Sequence, residues 1–210
     1  RRVLFRSFNG MKFSNFYPEG NRKAVSIQDF WIESSNEIVL ATQAGLYVFK
    51  NQQFSNIHDQ LKRQKQAFYT ICKINHEYWC GNGEGLSILS TNGNQFRLQK
   101  KDDLFGEKKV AINVIRKDAL NQVWIGTYGD GVFLLKKNQL IKYAPNTLLD
   151  HQTILDINFD ANQNVWFATL GNGACQANLI SNTLNWITEH EGLSNNHIRC
   201  VIQDRSGNYW

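Results

Sequence analysis

The stretch Val123-Trp124-Ile125-Gly126-Thr127-Tyr128-Gly129-Asp130-Gly131-Val132-Phe133-Leu134-Leu135 decides the fold, because versions of it return at a nearly fixed interval. An apolar run centred on Trp124, a glycine-dense reversal and a second apolar run from Val132 read as a β-hairpin, since glycine supplies the positive φ that tight reversals require. Further copies are Val165-Trp166-Phe167-Ala168-Thr169-Leu170-Gly171-Asn172-Gly173-Ala174-Cys175 and Tyr78-Trp79-Cys80-Gly81-Asn82-Gly83-Glu84-Gly85-Leu86-Ser87-Ile88. The most degenerate is Ile38-Val39-Leu40-Ala41-Thr42-Gln43-Ala44-Gly45-Leu46-Tyr47-Val48-Phe49, and Tyr209-Trp210 lies inside a fifth. The tryptophan position falls at 39, 79, 124, 166 and 210, giving intervals of 40, 45, 42 and 44 residues. Strand-only repeats of about 40 to 50 residues are propeller blades, whereas helical repeats of that length would show 3.6-residue periodicity.

A blade cannot bury its own faces, so the copies must stack. The expected fold is therefore all-β, a partial β-propeller of four-stranded antiparallel blades, with about four and a half blades in an incomplete ring. Residues 18–57, 58–98, 99–143 and 144–187 read as blades one to four, and 188–210 as a truncated fifth. Residues 8–17 read as the last strand of a preceding blade, while 1–7 fit no repeat position. The first strand of each unit, at 68–74, 112–117, 154–159 and 198–203, is rich in β-branched residues, as suits short packed strands. A more polar fourth strand is expected at 53–57, 95–98, 139–143 and 183–187. Because the last residue sits mid-repeat, the sequence reads as an internal piece of a longer protein. Open sheet edges at such a cut favour self-association.

Composition agrees with a packed β core: 42% of residues are hydrophobic, including 13 Phe, 7 Tyr and 6 Trp, and there are only 2 Pro. The net charge of +5 arises from 23 Lys and Arg against 18 Asp and Glu. These cations are scattered through loops, as at Lys62-Arg63-Gln64-Lys65 and Lys108-Lys109, and form no stripe with interleaved aromatics, so nucleic acid is not an expected partner. No apolar run approaches the roughly 18 to 20 residues that cross a bilayer, and no signal peptide is visible. Cys72, Cys80, Cys175 and Cys200 show no metal spacing, and each is expected in a strand as a small buried hydrophobe. A bridge between Cys72 and Cys80 across their hairpin stays open beside the reading as two thiols.

Six residues before the tryptophan position stand Glu33, Asp118, Asp160 and Asp204. Aspartate closes turns by accepting hydrogen bonds from nearby backbone, so these are read as turn closers. They are not read as a metal ladder, because each belongs to a different blade and lacks a companion ligand.

In an up-and-down blade, the turn between strands two and three opens on the same side as the connection to the next blade. The glycine reversals therefore share a surface with the long loops at 18–23, 58–66, 100–109, 144–152 and 188–196. Loops on a rigid scaffold concentrate binding residues. The candidates on that side are Tyr128, Asp130, Asn172, His190 and Asn196.

Glu191-Gly192-Leu193-Ser194-Asn195-Asn196-His197-Ile198, followed by Val201-Ile202-Gln203-Asp204-Arg205-Ser206-Gly207-Asn208-Tyr209-Trp210, resembles the two-component regulator propeller repeats of bacterial sensor proteins. Val123-Trp124-Ile125-Gly126-Thr127 with Gly129, Gly131 and Val132 resembles the same unit. The resemblance covers about residues 10–210 and weakens in the first unit, where Val39 replaces Trp and Ala41 replaces Gly. It implies a periplasmic, ligand-sensing region of an inner-membrane protein, acting as a homodimer, in a chain that continues through a small β-sandwich and a membrane helix. The implied output is most often a histidine kinase and sometimes a diguanylate cyclase, and several members respond to oligosaccharides.

Other chemistry is weaker on the residues themselves. Gly126-Thr127-Tyr128-Gly129-Asp130-Gly131 is not a phosphate cradle, since a strand follows where a helix N-terminus would be needed. The five histidines, His58, His76, His151, His190 and His197, share no ligand spacing, and no cofactor or metal is expected. Glu189-His190-Glu191, the densest titratable cluster, reads as a solvated loop. Two alternatives to the sensor module stand beside it: a propeller enzyme acting on glycans through paired carboxylates, and a protein-binding scaffold of the WD-repeat kind. The scaffold is disfavoured because no blade carries Gly-His followed by Trp-Asp.

Overall fold

The computed structural model describes residues 5–8, 13–16, 25–61, 66–92, 95–101, 104–106, 108–136, 139–143 and 148–210. The loop expected at 18–23, and parts of those at 58–66, 100–109 and 144–152, lie outside the described residues. The chain divides into two compact units, Arg1–Lys101 and Asp102–Trp210. Every four-stranded sheet is an antiparallel meander whose sequence neighbours pair, so the chain has the all-β blade fold that the repeat implies.

In the first unit, β1 (Phe5–Phe8) pairs with β2 (Phe13–Phe16). One blade is built from β3 (Ile27–Ser34), β4 (Glu37–Thr42), β5 (Gly45–Lys50) and β6 (Gln53–Asn56). The next is built from β7 (Thr70–Ile74), β8 (Glu77–Asn82), β9 (Gly85–Asn92) and β10 (Gln95–Lys100). Alternate residues of β4 and β5 serve two cores. Val39, Ala41, Leu46 and Val48 pack with Phe68, Ile71 and Cys80, while Leu40, Tyr47, Phe49 and Phe54 fill the other face. Burial on both faces is why β5 reads as a continuous apolar run rather than an alternating one.

Residues 58–61, expected in a loop, instead continue a single helical turn, α1 (Ile57–Leu61). Ile57 and Leu61 lie four apart and so share one side of that turn, which packs them into the same core. Cys72 pairs with Trp79 and Cys80 with Ile71. The two sulfurs therefore point to opposite faces of the sheet; both are free thiols. Cys200 departs from the expected pattern, being exposed and outside any strand.

In the second unit one blade comprises β11 (Ile112–Lys117), β12 (Val123–Thr127), β13 (Val132–Lys136) and β14 (Gln139–Tyr143). The other comprises β15 (Ile154–Phe159), β16 (Val165–Thr169), β17 (Ala174–Asn178) and β18 (Thr183–Ile187). Trp124 is fully buried between them, edge-on to Tyr143 at 5.0 Å and tilted to Phe167 at 6.0 Å. The first strands lie side by side, with Asn113 Nδ2 donating to the Ile154 carbonyl at 3.1 Å. Gly126 permits this approach: a Cβ there would sit 2.5 Å from Val114 Cγ1 and 2.7 Å from Ile154 Cγ2.

The first strands share a device, since the register of β3, β11 and β15 shifts at the same place, between Ile27 and Asp29, Ile112 and Val114, and Ile154 and Asp156. Such bulges bend a strand and re-aim its side chains. The strand expected at 198–203 is not continuous. Gln203 bridges to Tyr209, and Ile202 and Trp210 exchange backbone hydrogen bonds at 3.0 and 2.9 Å. Ile198 instead donates its N–H to the Thr169 carbonyl at 3.0 Å, turning away from that ladder.

Candidate functional site

The corners of the second unit are built around a buried threonine. Thr127 Oγ1 donates to the Gly131 carbonyl at 2.8 Å and accepts from the Asp130 N–H at 3.1 Å. Thr169 repeats both bonds, to Gly173 at 2.7 Å and from Asn172 at 3.1 Å. A hydroxyl can donate and accept at once, so one side chain closes the turn and satisfies itself in the interior. Two glycines with positive φ complete each corner, Gly129 (85°) and Gly131 (72°), then Gly171 (102°) and Gly173 (79°). Gly173 is the most constrained, since a Cβ there would meet the Ile187 carbonyl oxygen at 2.2 Å.

Each corner is capped by an amide residue that leads into the next repeat. Gly131 N donates to the Gln152 carbonyl at 3.0 Å, and Gly173 N donates to the Asn196 carbonyl at 2.7 Å. Gln152 Oε1 in turn accepts from Asn172 Nδ2. Asn196 Oδ1 accepts from Glu189 N at 2.8 Å, and Asn196 N donates to Glu189 Oε1 at 3.1 Å. Asn172 and Gln152 are thus bonded directly, and Asp130 and Asn196 adjoin them through the corner glycines Gly131 and Gly173, which makes a strip on the side where corners and connections were expected to meet.

Of the remaining candidates, Tyr128 lies on the first corner and His190 on the connection that follows the second. Tyr128 is 62% exposed, and its backbone N–H donates to the Ala111 carbonyl at 2.9 Å. His190 lies in a 3₁₀ turn, Glu189–Glu191, with Nδ1 3.0 Å from Glu191 Oε1. The cluster is solvated, as expected, with the His190 side chain 93% exposed, but it forms a capped turn rather than an irregular loop. Thr188 and Glu191 form a reciprocal capping box, and Gly192 ends the turn with a φ of 109°. Hydrogen bonds from the Thr188 hydroxyl and backbone, with His190 beside it, hold the Glu191 carboxyl down at about 2. Asp130 forms an ion pair with Lys108, and Asp150 one with Lys142. Among the described residues no group of three or more His, Cys, Asp or Glu could hold a metal ion.

Sequence reasoning passed over Gln152 and the two corner threonines. The threonines stand three residues after Trp124 and Trp166, which was a usable signal. Gln152 carries none, because its role depends on a corner from a different part of the chain.

At the opposite end of the blades the acidic residues do what their position predicts, and more. Asp118 Oδ1 accepts from Leu120 N and Gln122 N at 2.9 and 2.8 Å, while Oδ2 takes the Trp124 indole N–H at 2.9 Å. Asp160 and Asp204 repeat the arrangement with Trp166 at 3.1 Å and Trp210 at 3.0 Å. One carboxylate oxygen thus closes the turn and the other anchors the tryptophan. Glu33 does not follow: its longer side chain pairs with Lys73 and accepts from the Tyr78 hydroxyl at 2.9 Å.

No protein-family model matches the chain, and no curated protein matches it. Solved structures do. The extracellular domain of a candidate hybrid two component system, BT3049 from B. thetaiotaomicron, aligns over 100% of this chain with a TM-score of 0.75 and 21% identity. That of BT4673 from the same organism aligns over 97%, with a TM-score of 0.74 and 16% identity. YCF48 from Cyanidioschyzon merolae aligns over 88% of this chain and 66% of its own, with a TM-score of 0.55 and 14% identity. The chain spans only 29% and 27% of the two bacterial domains. At these identities the likeness is one of fold. No helix among the described residues is long and apolar enough to cross a membrane.

Proposed function

We propose that this chain is part of the periplasmic sensing region of a bacterial two-component sensor histidine kinase anchored in the inner membrane. In this reading it binds an oligosaccharide and passes the event to a C-terminal output domain, with the full-length protein acting as a homodimer. The observation that carries the proposal is the strip of Asp130, Gln152, Asn172 and Asn196 on rigid corners, with exposed Tyr128 on the first of them. Amides donate and accept together, as sugar hydroxyls require, and an exposed aromatic ring offers a face for stacking. The likeness to extracellular domains of hybrid two component systems supports the same reading.

Signalling requires the ligand to bind two conformations with unequal affinity. The strip suits this, because one ligand touching both corners favours whichever arrangement of the blades presents them together.

The test is thermal melting of the purified chain with a panel of neutral and acidic oligosaccharides, with product analysis on the same samples. The expected result is a raised melting temperature for some members and hydrolysis of none. Hydrolysis abolished by replacing a single carboxylate would replace the sensor with a glycan-cleaving enzyme, and no shift with any member would remove the oligosaccharide.

A further inference from the structure

The two blades of the first unit meet over a cavity of about 390 Å³, within the range of small-molecule sites. It lies away from the corners. β4 and β5 pair from Thr42 opposite Gly45 at the corner to Glu37 opposite Lys50 at the far end, and Glu37 and Lys50 are among the residues that line the cavity. The neighbouring blade contributes Lys73 and Tyr78, which face each other across β7 and β8. Glu33 completes the polar wall, and Val39, Val48 and Phe96 supply an apolar floor.

The charged groups have unequal roles. Glu33 is held by Lys73 and by the Tyr78 hydroxyl at 2.9 Å, and Lys73 Nζ also sits 5.4 Å from the centroid of the Tyr78 ring. That cluster ties one blade to the next and is a fixed wall. The pair of Lys50 and Glu37, at 2.8 Å, is different: the lysine side chain is 56% exposed and the pair is a single contact within one blade. Exposed pairs of this kind contribute little to stability, so they are readily exchanged for a ligand's charges. An incoming ammonium can take Glu37 while an incoming carboxylate takes Lys50, with no net change in paired charge. A polyanion would meet the carboxylates of Glu33 and Glu37, and a neutral sugar carries no charge to exchange for the pair.

We propose that this cavity binds a free α-amino acid with an apolar side chain, its ammonium on Glu37, its carboxylate on Lys50 and its side chain on the floor of Val39, Val48 and Phe96. The site is separate from the corner strip and does not depend on the sensing role proposed for it.

Isothermal titration of the purified chain with L-leucine, glycine and glucose tests this. L-leucine should bind saturably at millimolar concentration, glycine more weakly and glucose not at all. Lys50→Met and Glu37→Gln should each weaken L-leucine binding about tenfold or more, the loss expected for one charge-assisted hydrogen bond, with the melting temperature unchanged. No saturable L-leucine binding, binding unaffected by Lys50→Met, or equal affinity for glycine and L-leucine would overturn the proposal. Neither variant should alter an oligosaccharide-induced melting shift, so failure here is distinguishable from failure at the corners.

Discussion

The phenolic hydroxyl of Tyr209 donates to Asp160 Oδ2 at 2.8 Å, across a separation of 49 residues. The same carboxylate oxygen accepts the Trp166 indole at 3.1 Å and Asn164 Nδ2 at 2.9 Å, and the Tyr209 ring lies 4.5 Å from that of Trp166. One acidic side chain therefore closes its own turn, anchors its own tryptophan and ties down the following repeat. Tyr78 and Glu33 make the corresponding link in the first unit, at 2.9 Å. In both cases the tyrosine immediately precedes the tryptophan position of its unit.

Removing the hydroxyl while keeping the ring isolates this bond. Tyr209→Phe should cost about 1–2 kcal/mol, the contribution of a hydrogen bond to a charged acceptor, and Asp160→Ala about 3 kcal/mol or more because several donors lose their acceptor together. Urea denaturation of the two variants checks the ordering; equal and negligible losses would show that the link holds nothing.

The same carboxylate fixes an acid limb of stability. Burial raises the Asp160 pKa, but hydrogen bonds from Asn164, Trp166 and Tyr209 outweigh it and bring the group down to about 2, from an ordinary 3.8. A folded-state pKa below the unfolded value contributes stability that is present above the unfolded pKa and lost as pH falls through the folded one. Stability should therefore be flat in this contribution above about pH 4 and decline between about pH 4 and pH 2. Asp160→Asn should flatten that decline when the urea midpoint is followed against pH.

Two neighbouring glycines should respond differently to the same methyl group. Gly171→Ala meets only a strained φ, because nothing lies within 4 Å of the added Cβ, whereas Gly173→Ala also drives that Cβ to 2.2 Å from the Ile187 carbonyl oxygen. Expected costs are about 1 kcal/mol for the first and about 3 kcal/mol for the second. Melting curves that rank them the other way would contradict the corner geometry.

What the sequence made legible follows from locality. The hairpins, the positive-φ glycines and the aspartate turns are each set within a dozen residues, and the order of residue types displays them. The second carboxylate oxygen of Asp160 was not legible. Its use by Tyr209 depends on how one repeat lies against the next, and no spacing within a repeat encodes that. Gln152 was missed for the same reason. α1 was missed because a single turn held by Ile57 and Leu61 has no periodicity long enough to see.

At the strip, Tyr128→Ala and Asn172→Ala should leave the melting temperature of the free chain close to wild type, since Tyr128 is exposed and, among the described residues, the Asn172 side chain bonds only to Gln152. Both should abolish any oligosaccharide-induced shift. Loss of the shift with Lys50→Met instead would move recognition to the other end of the blades.

Amide hydrogen exchange, with and without the oligosaccharide that raises the melting temperature most, tests the central claim most directly. The strip accounts for binding if exchange slows at 128–131, 152–153, 171–173 and 189–198 together, with the turns at Asp118, Asp160 and Asp204 unchanged. Slowing confined to those aspartate turns, or absent from both corners of the second unit, would contradict it.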